Sequence, residues 1–100
     1  MRPVLHGDVV AAARALLCLP EAARSSFLQR LFRQANWADA YRKKRGQVHP
    51  FWGDGSLEVV AAGYEQRPEP YLHSPEYCKC MISVFEGLLA ESGITSPSRR

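Results

Sequence analysis

The sequence predicts an all-α domain, a compact bundle of about four helices over residues 8–18, 20–45, 55–65 and 75–92. Three observations carry this. Apolar residues recur at three- and four-residue spacing along most of the chain. Helix start and stop signals punctuate it at Leu19-Pro20, Gly46 and Ser74-Pro75. No stretch alternates apolar and polar residues as a half-buried strand would. The chain has 100 residues, about one domain, and its 46% hydrophobic and 23% charged fractions argue against wholesale disorder.

The first helix follows Asp8, a good N-cap, and presents Val9, Ala13, Leu16 and Leu17 on one side. Its alanines favour helix and let a partner helix come close. Leu19-Pro20 ends it, because the residue before proline is pushed out of the α region. Pro20 then suits the first turn of the second helix, with Glu21 near its positive end.

The second helix carries Phe27, Leu28, Leu31, Phe32, Ala35 and Ala38 as its core stripe. Arg42-Lys-Lys-Arg45 sits at the negative end of its dipole, and Gly46 stops it. After the 47–53 loop a short third helix starts near Asp54 or Ser56, with Leu57, Val59, Val60 and Ala61. Arg67-Pro-Glu-Pro70 is an extended connector. Ser74-Pro75-Glu76 supplies a cap, a first-turn proline and a first-turn acid for the last helix. Its expected stripe is Cys78, Met81, Ile82, Phe85, Leu88 and Leu89, with Gly93 as the stop. Residues 1–93 form the expected single domain, and 94–100 a flexible basic tail.

The net charge of +3 hides an asymmetry. Residues 1–45 carry nine Lys/Arg against three acids, and residues 46–98 carry two against seven. Packing of the two halves against each other explains this more simply than a dedicated binding surface. Three cysteines, Cys18, Cys78 and Cys80, do not read as a disulfide framework and fit a reducing compartment. Arg14 breaks the apolar run Val9–Leu19, so neither a signal peptide nor a membrane span is expected, and the cytoplasm is the expected location.

Few residues point to chemistry. Cys78-x-Cys80 resembles half a metal site, but residues two apart on a helix point about 200° apart. His6, His49 and His73 show no spacing that demands an ion, so no metal and no cofactor is expected. Neither a nucleophile elbow nor a His-Glu-x-x-His set appears, and the reading leans away from an enzyme. Two candidate surfaces remain. The loop residues His49, Trp52, Asp54, Gly55 and Ser56 lead into a helix N-terminus that can hold an anion, although Asp54 can cap those amides itself. On the second helix Arg30, Arg33, Trp37, Tyr41 and Lys44 share one side, a pattern that can contact phosphates and stack bases. There Arg33 over Trp37 is an alternative intramolecular cation–π pair. Phe51, Trp52, Trp37 and Tyr71 near surface loops suggest an apolar patch and a homodimer or another protein partner.

His49-Pro-Phe-Trp-Gly-Asp-Gly-Ser-Leu57, Pro68-Glu-Pro-Tyr-Leu-His-Ser-Pro-Glu-Tyr-Cys-Lys-Cys80 and Leu5-His-Gly-Asp-Val-Val10 together resemble a family of short uncharacterised bacterial proteins. The resemblance covers about residues 4 to 90 and implies one small helical domain, with no functional residues to carry over. The expectation is therefore a protein-interaction or regulatory module that self-associates. Nucleic-acid binding through the second helix is the first alternative, and a ligand or enzyme site at 49–56 the second.

Overall fold

The computed structural model describes residues 1–92. Four helices follow in order: α1 (His6–Leu16), α2 (Glu21–Arg45), α3 (Leu57–Ala62) and α4 (Pro75–Ser92). The all-α expectation holds. Among the described residues, extended backbone pairs only in an isolated bridge between His49 and Gly53. The stop expected at Gly93 and the tail 94–100 lie outside the described residues. Among the described residues, no helix is long and apolar enough to cross a membrane.

α1 is the central element and touches the other three helices. Ala11, Ala12, Ala13, Ala15 and Leu16 are all buried, so its small side chains give neighbours close access on several sides. Leu28, Leu31, Phe32 and Ala35 of α2, Leu57, Val60 and Ala61 of α3, and Tyr77, Cys80 and Val84 of α4 complete the core. Each large apolar side chain buried there contributes roughly 1.5–3 kcal/mol.

Asp8 is not the N-cap of α1. The helix begins two residues earlier, with Leu5 as its N-cap. The buried Asp8 carboxylate accepts the Leu5 N–H at 2.7 Å and the Glu58 N–H at 2.8 Å. One side chain thus serves the N-termini of α1 and α3 together, where both helix dipoles favour a negative charge. Pro20 also differs from expectation. At φ −63° and ψ 152° it is the extended residue in front of α2, not part of its first turn. α3 starts at Leu57, with the Ser56 hydroxyl accepting the Val59 N–H.

α4 is rolled relative to its expected stripe. Tyr77, Cys80 and Val84 are buried, Met81 and Leu88 half-buried, while Ile82, Phe85 and Leu89 are exposed. Gly87 accounts for the roll. A Cβ there would stand 2.9 Å from both Leu28 and Phe32 of α2, so the glycine face is the one that lies against the neighbouring helix. Tyr77 is held from the other end by its hydroxyl, which donates to Glu69 of the connector at 3.0 Å. Arg24 is buried as well. It donates to the carbonyls of Leu16 and Leu19 at the end of α1 and pairs with Glu76 of α4. A cation suits the negative end of a helix.

Candidate aromatic and cationic docking face

The C-terminal half of α2 places Trp37 and Tyr41 one turn apart on the same side. Gly46 ends the helix in the left-handed conformation, at φ 72°, and the chain doubles back. The backbone pairs of His49 with Gly53, at 3.0 and 3.1 Å, close a tight turn around Pro50, Phe51 and Trp52. Inside it, the His49 Nδ1 accepts the N–H groups of Phe51 and Trp52 at 3.1 and 3.2 Å. The ring is thereby held as a platform. It stacks on Trp52, with centroids 4.6 Å apart and planes 8° apart, and meets the Tyr41 ring edge-on at 4.8 Å. Trp52 in turn lies 5.4 Å from Trp37.

The result is one aromatic surface built from two segments, the helix and the loop. Much of it faces solvent: Trp37 is 56% and Phe51 85% exposed. Arg30, Arg33, Lys44 and Arg45 are exposed along α2 on the side that carries Trp37 and Tyr41. The Arg45 guanidinium lies over the Tyr41 ring, 5.4 Å from its centre. The cation–π contact seen among the described residues is this one, not Arg33 over Trp37. No ion pair engages Arg30, Arg33, Lys44 or Arg45 among the described residues.

The other half of the loop turns away into a polar knot. Asp54 accepts the Ser56 N–H at 3.0 Å and an Arg2 guanidinium N–H at 2.7 Å. The Ser56 amide, with help from Arg2, lowers the Asp54 pKa against the effect of burial. Gly55 is buried against the backbone of Asp39. Asp39 itself is buried and gathers the Met1 ammonium at 3.4 Å, Lys43 at 3.1 Å and Arg42 at 2.9 Å. Burial works to raise its pKa, but hydrogen bonds from Lys43 and Arg42 and the nearby positive charges prevail and hold it at about 2.

The structure therefore splits the loop residues. His49 and Trp52 join Trp37, Tyr41 and the cations of α2, whereas Asp54, Gly55 and Ser56 tie the loop to Asp39, Arg2 and α3. A groove of about 320 Å³ beside Ser56 is lined by Arg2, Pro3, Leu5, Asp8 and Glu58 and shares no residue with the aromatic face. Among the described residues, no three His, Cys, Asp or Glu side chains come together as a metal site. His73 stacks on Tyr71. The Cys78 thiol donates to the Leu72 carbonyl, and Cys80 is buried, which pushes its thiol pKa up. Sequence reasoning left Arg45 out of the face, although it stands one turn beyond Tyr41, and it had no signal that His49 would stack between two segments.

A family model described as a domain of unknown function, DUF7742, matches residues 2–88. The chain is also similar to the lymphocyte antigen 6 complex locus protein G6f of Bos taurus, 31% identical over 86 residues. That match covers 83% of this chain but only 27% of the bovine protein, so the chain spans about a quarter of the relative's length. No solved structure matches the chain.

Proposed function

The chain belongs to the DUF7742 family of domains of unknown function, and from that premise we propose that it is a binding module that docks single-stranded nucleic acid on its aromatic and cationic face. The observation that carries this reading is the set of four cations with no ion pair among the described residues, Arg30, Arg33, Lys44 and Arg45, beside solvent-facing rings of Trp37 and Phe51. Cations without an internal carboxylate suit phosphates, and open ring faces stack unpaired bases. His49 and Trp52 support the platform from below by holding its shape. The cytoplasm suits such a module, and the three unpaired thiols Cys18, Cys78 and Cys80 favour it.

Fluorescence anisotropy with labelled single-stranded DNA and RNA of about 15 nucleotides tests the proposal. Neutralising about four phosphates gives a log–log salt slope near −3, so affinity falls about 50-fold between about 50 and 200 mM salt. Phe51→Ala weakens binding about tenfold or more through lost stacking. No binding at low salt, or binding indifferent to Phe51→Ala and Trp37→Ala, removes the reading.

A separate observation favours a second reading, a protein-interaction module that self-associates. α4 leaves Ile82 and Phe85 exposed beyond the face it spends on the core, and a helix whose apolar surface extends past its own core face suits burial there as well. Light scattering over a concentration series tests it. A monomer at every concentration ends it.

A further inference from the structure

We propose, resting on that self-association reading, that α4 pairs antiparallel with α4 of a second copy about a two-fold axis. Ile82 then packs on Phe85 of the other copy, and Lys79 bridges to the other Glu86.

Cys78, Ile82, Phe85 and Leu89 are separated by four, three and four residues, the repeat of a seam between two helices. That seam is not the one α4 spends on its own core, which runs through Tyr77, Cys80 and Val84. Ile82 is 54% and Phe85 50% exposed, so the centre of the outer seam is uncovered by α1, α2 or α3. Large apolar side chains at seam spacing on a soluble surface mark an interaction face.

The charges beside the seam choose the occupant. Lys79 and Glu86 are seven residues apart and so flank the seam on the same side. The opposite flank is Met81 and Leu88, apolar and already half-buried against the core. In an antiparallel pair, like flanks meet. Lys79 of each copy then faces Glu86 of the other, and the two-fold axis makes the contact twice. In a parallel pair, the charged flank would meet the apolar one, and both charges would go unanswered. The helix is thus complementary to itself in one direction. Within its own helix Lys79 pairs with Glu76 at 3.7 Å, but both side chains are largely exposed, so exchanging that partner costs little. The Glu86 carboxylate also makes this face a poor one for nucleic acid, which separates it from the aromatic surface on α2.

Sedimentation equilibrium of the full chain, from about 1 µM to about 1 mM, reads the result. The wild type is expected as a dimer, and the double variant Ile82→Ser/Phe85→Ser as a monomer with unchanged helical circular dichroism. Lys79→Glu places like charges across the seam and weakens the dimer about tenfold or more. Lys79→Glu/Glu86→Lys restores it. These two charge variants alter only exposed positions, so they keep the test sharp should the apolar variant misfold. A wild-type monomer throughout overturns both the pairing and self-association. A dimer that survives loss of Ile82 and Phe85, or ignores the charge reversal and its rescue, overturns the α4 arrangement while leaving self-association in place.

Discussion

Replacing Asp8 by alanine is expected to destabilise the domain by about 3 kcal/mol. The magnitude follows from what the carboxylate holds. It accepts the Leu5 N–H at 2.7 Å and the Glu58 N–H at 2.8 Å, and the side chain is buried. A hydrogen bond to a charged group is worth about 1.5–3 kcal/mol, and losing the acceptor also leaves two amides short of a partner. Water reaching the vacated site recovers part of this, which brings the sum down to about 3 kcal/mol. Asp8→Asn separates the contributions. The amide has one oxygen, so it can serve one of the two N–H groups and turns its own NH2 toward the other. Its cost should therefore be at least half that of alanine. Urea unfolding followed by circular dichroism measures both, and for a domain of this size about 3 kcal/mol lowers the melting temperature by roughly 12–24 °C. A change below about 0.5 kcal/mol for Asp8→Ala, the range of an ordinary surface substitution, would refute the claim that one carboxylate joins the two helix starts.

Four further outcomes follow from other parts of the structure. Gly55→Ala should cost about 3 kcal/mol or more, because φ is +97° and the new Cβ would stand 2.6–2.7 Å from Cβ and Cα of Asp39; Gly46→Ala, at φ +72° with open space around it, should cost only about 1 kcal/mol in the same unfolding assay. The Asp39 pKa is depressed from 3.8 to about 2, so its stabilisation is present above the unfolded value and lost as pH falls from about 4 to 2; allowing for the exposure of Lys43, this amounts to roughly 1 kcal/mol, and an Asp39→Asn titration that keeps the same acid limb would contradict it. Burial, then the hydrogen bond to Glu69, pushes the Tyr77 hydroxyl up to about 12, so its contribution is complete below pH 10 and lost as pH rises toward 12; Tyr77→Phe should lose about 1 kcal/mol at neutral pH and show a shallower alkaline limb. Phe51→Ala should leave the melting temperature within about 2 °C of wild type while reducing oligonucleotide affinity, since an exposed ring contributes little to folding.

The sequence by itself determined the start of α4 and the end of α2. Ser74-Pro75-Glu76 opens α4 and Gly46 closes α2 because caps, proline and glycine act through the backbone within a turn of their own position. The existence of a core is equally local, since apolar spacing at Leu28, Leu31, Phe32 and Ala35 defines a face without knowing its partner. Tertiary structure decided what those faces and polar groups meet. Asp8 looked like a cap for its own helix, and only the approach of α3 gives its second oxygen the Glu58 amide, fifty residues away. α4 offers apolar residues on both sides, so its pattern could not choose between them. Close packing at Gly87 against Leu28 and Phe32 made the choice and left Ile82 and Phe85 outside. Part of the loop surface joined the helix surface because the turn after Gly46 folds His49 and Trp52 back onto Trp37 and Tyr41, while Asp54 and Gly55 went to Arg2 and Asp39. Ring stacking across a reversal of the chain depends on positions in space, and no spacing within either segment encodes it.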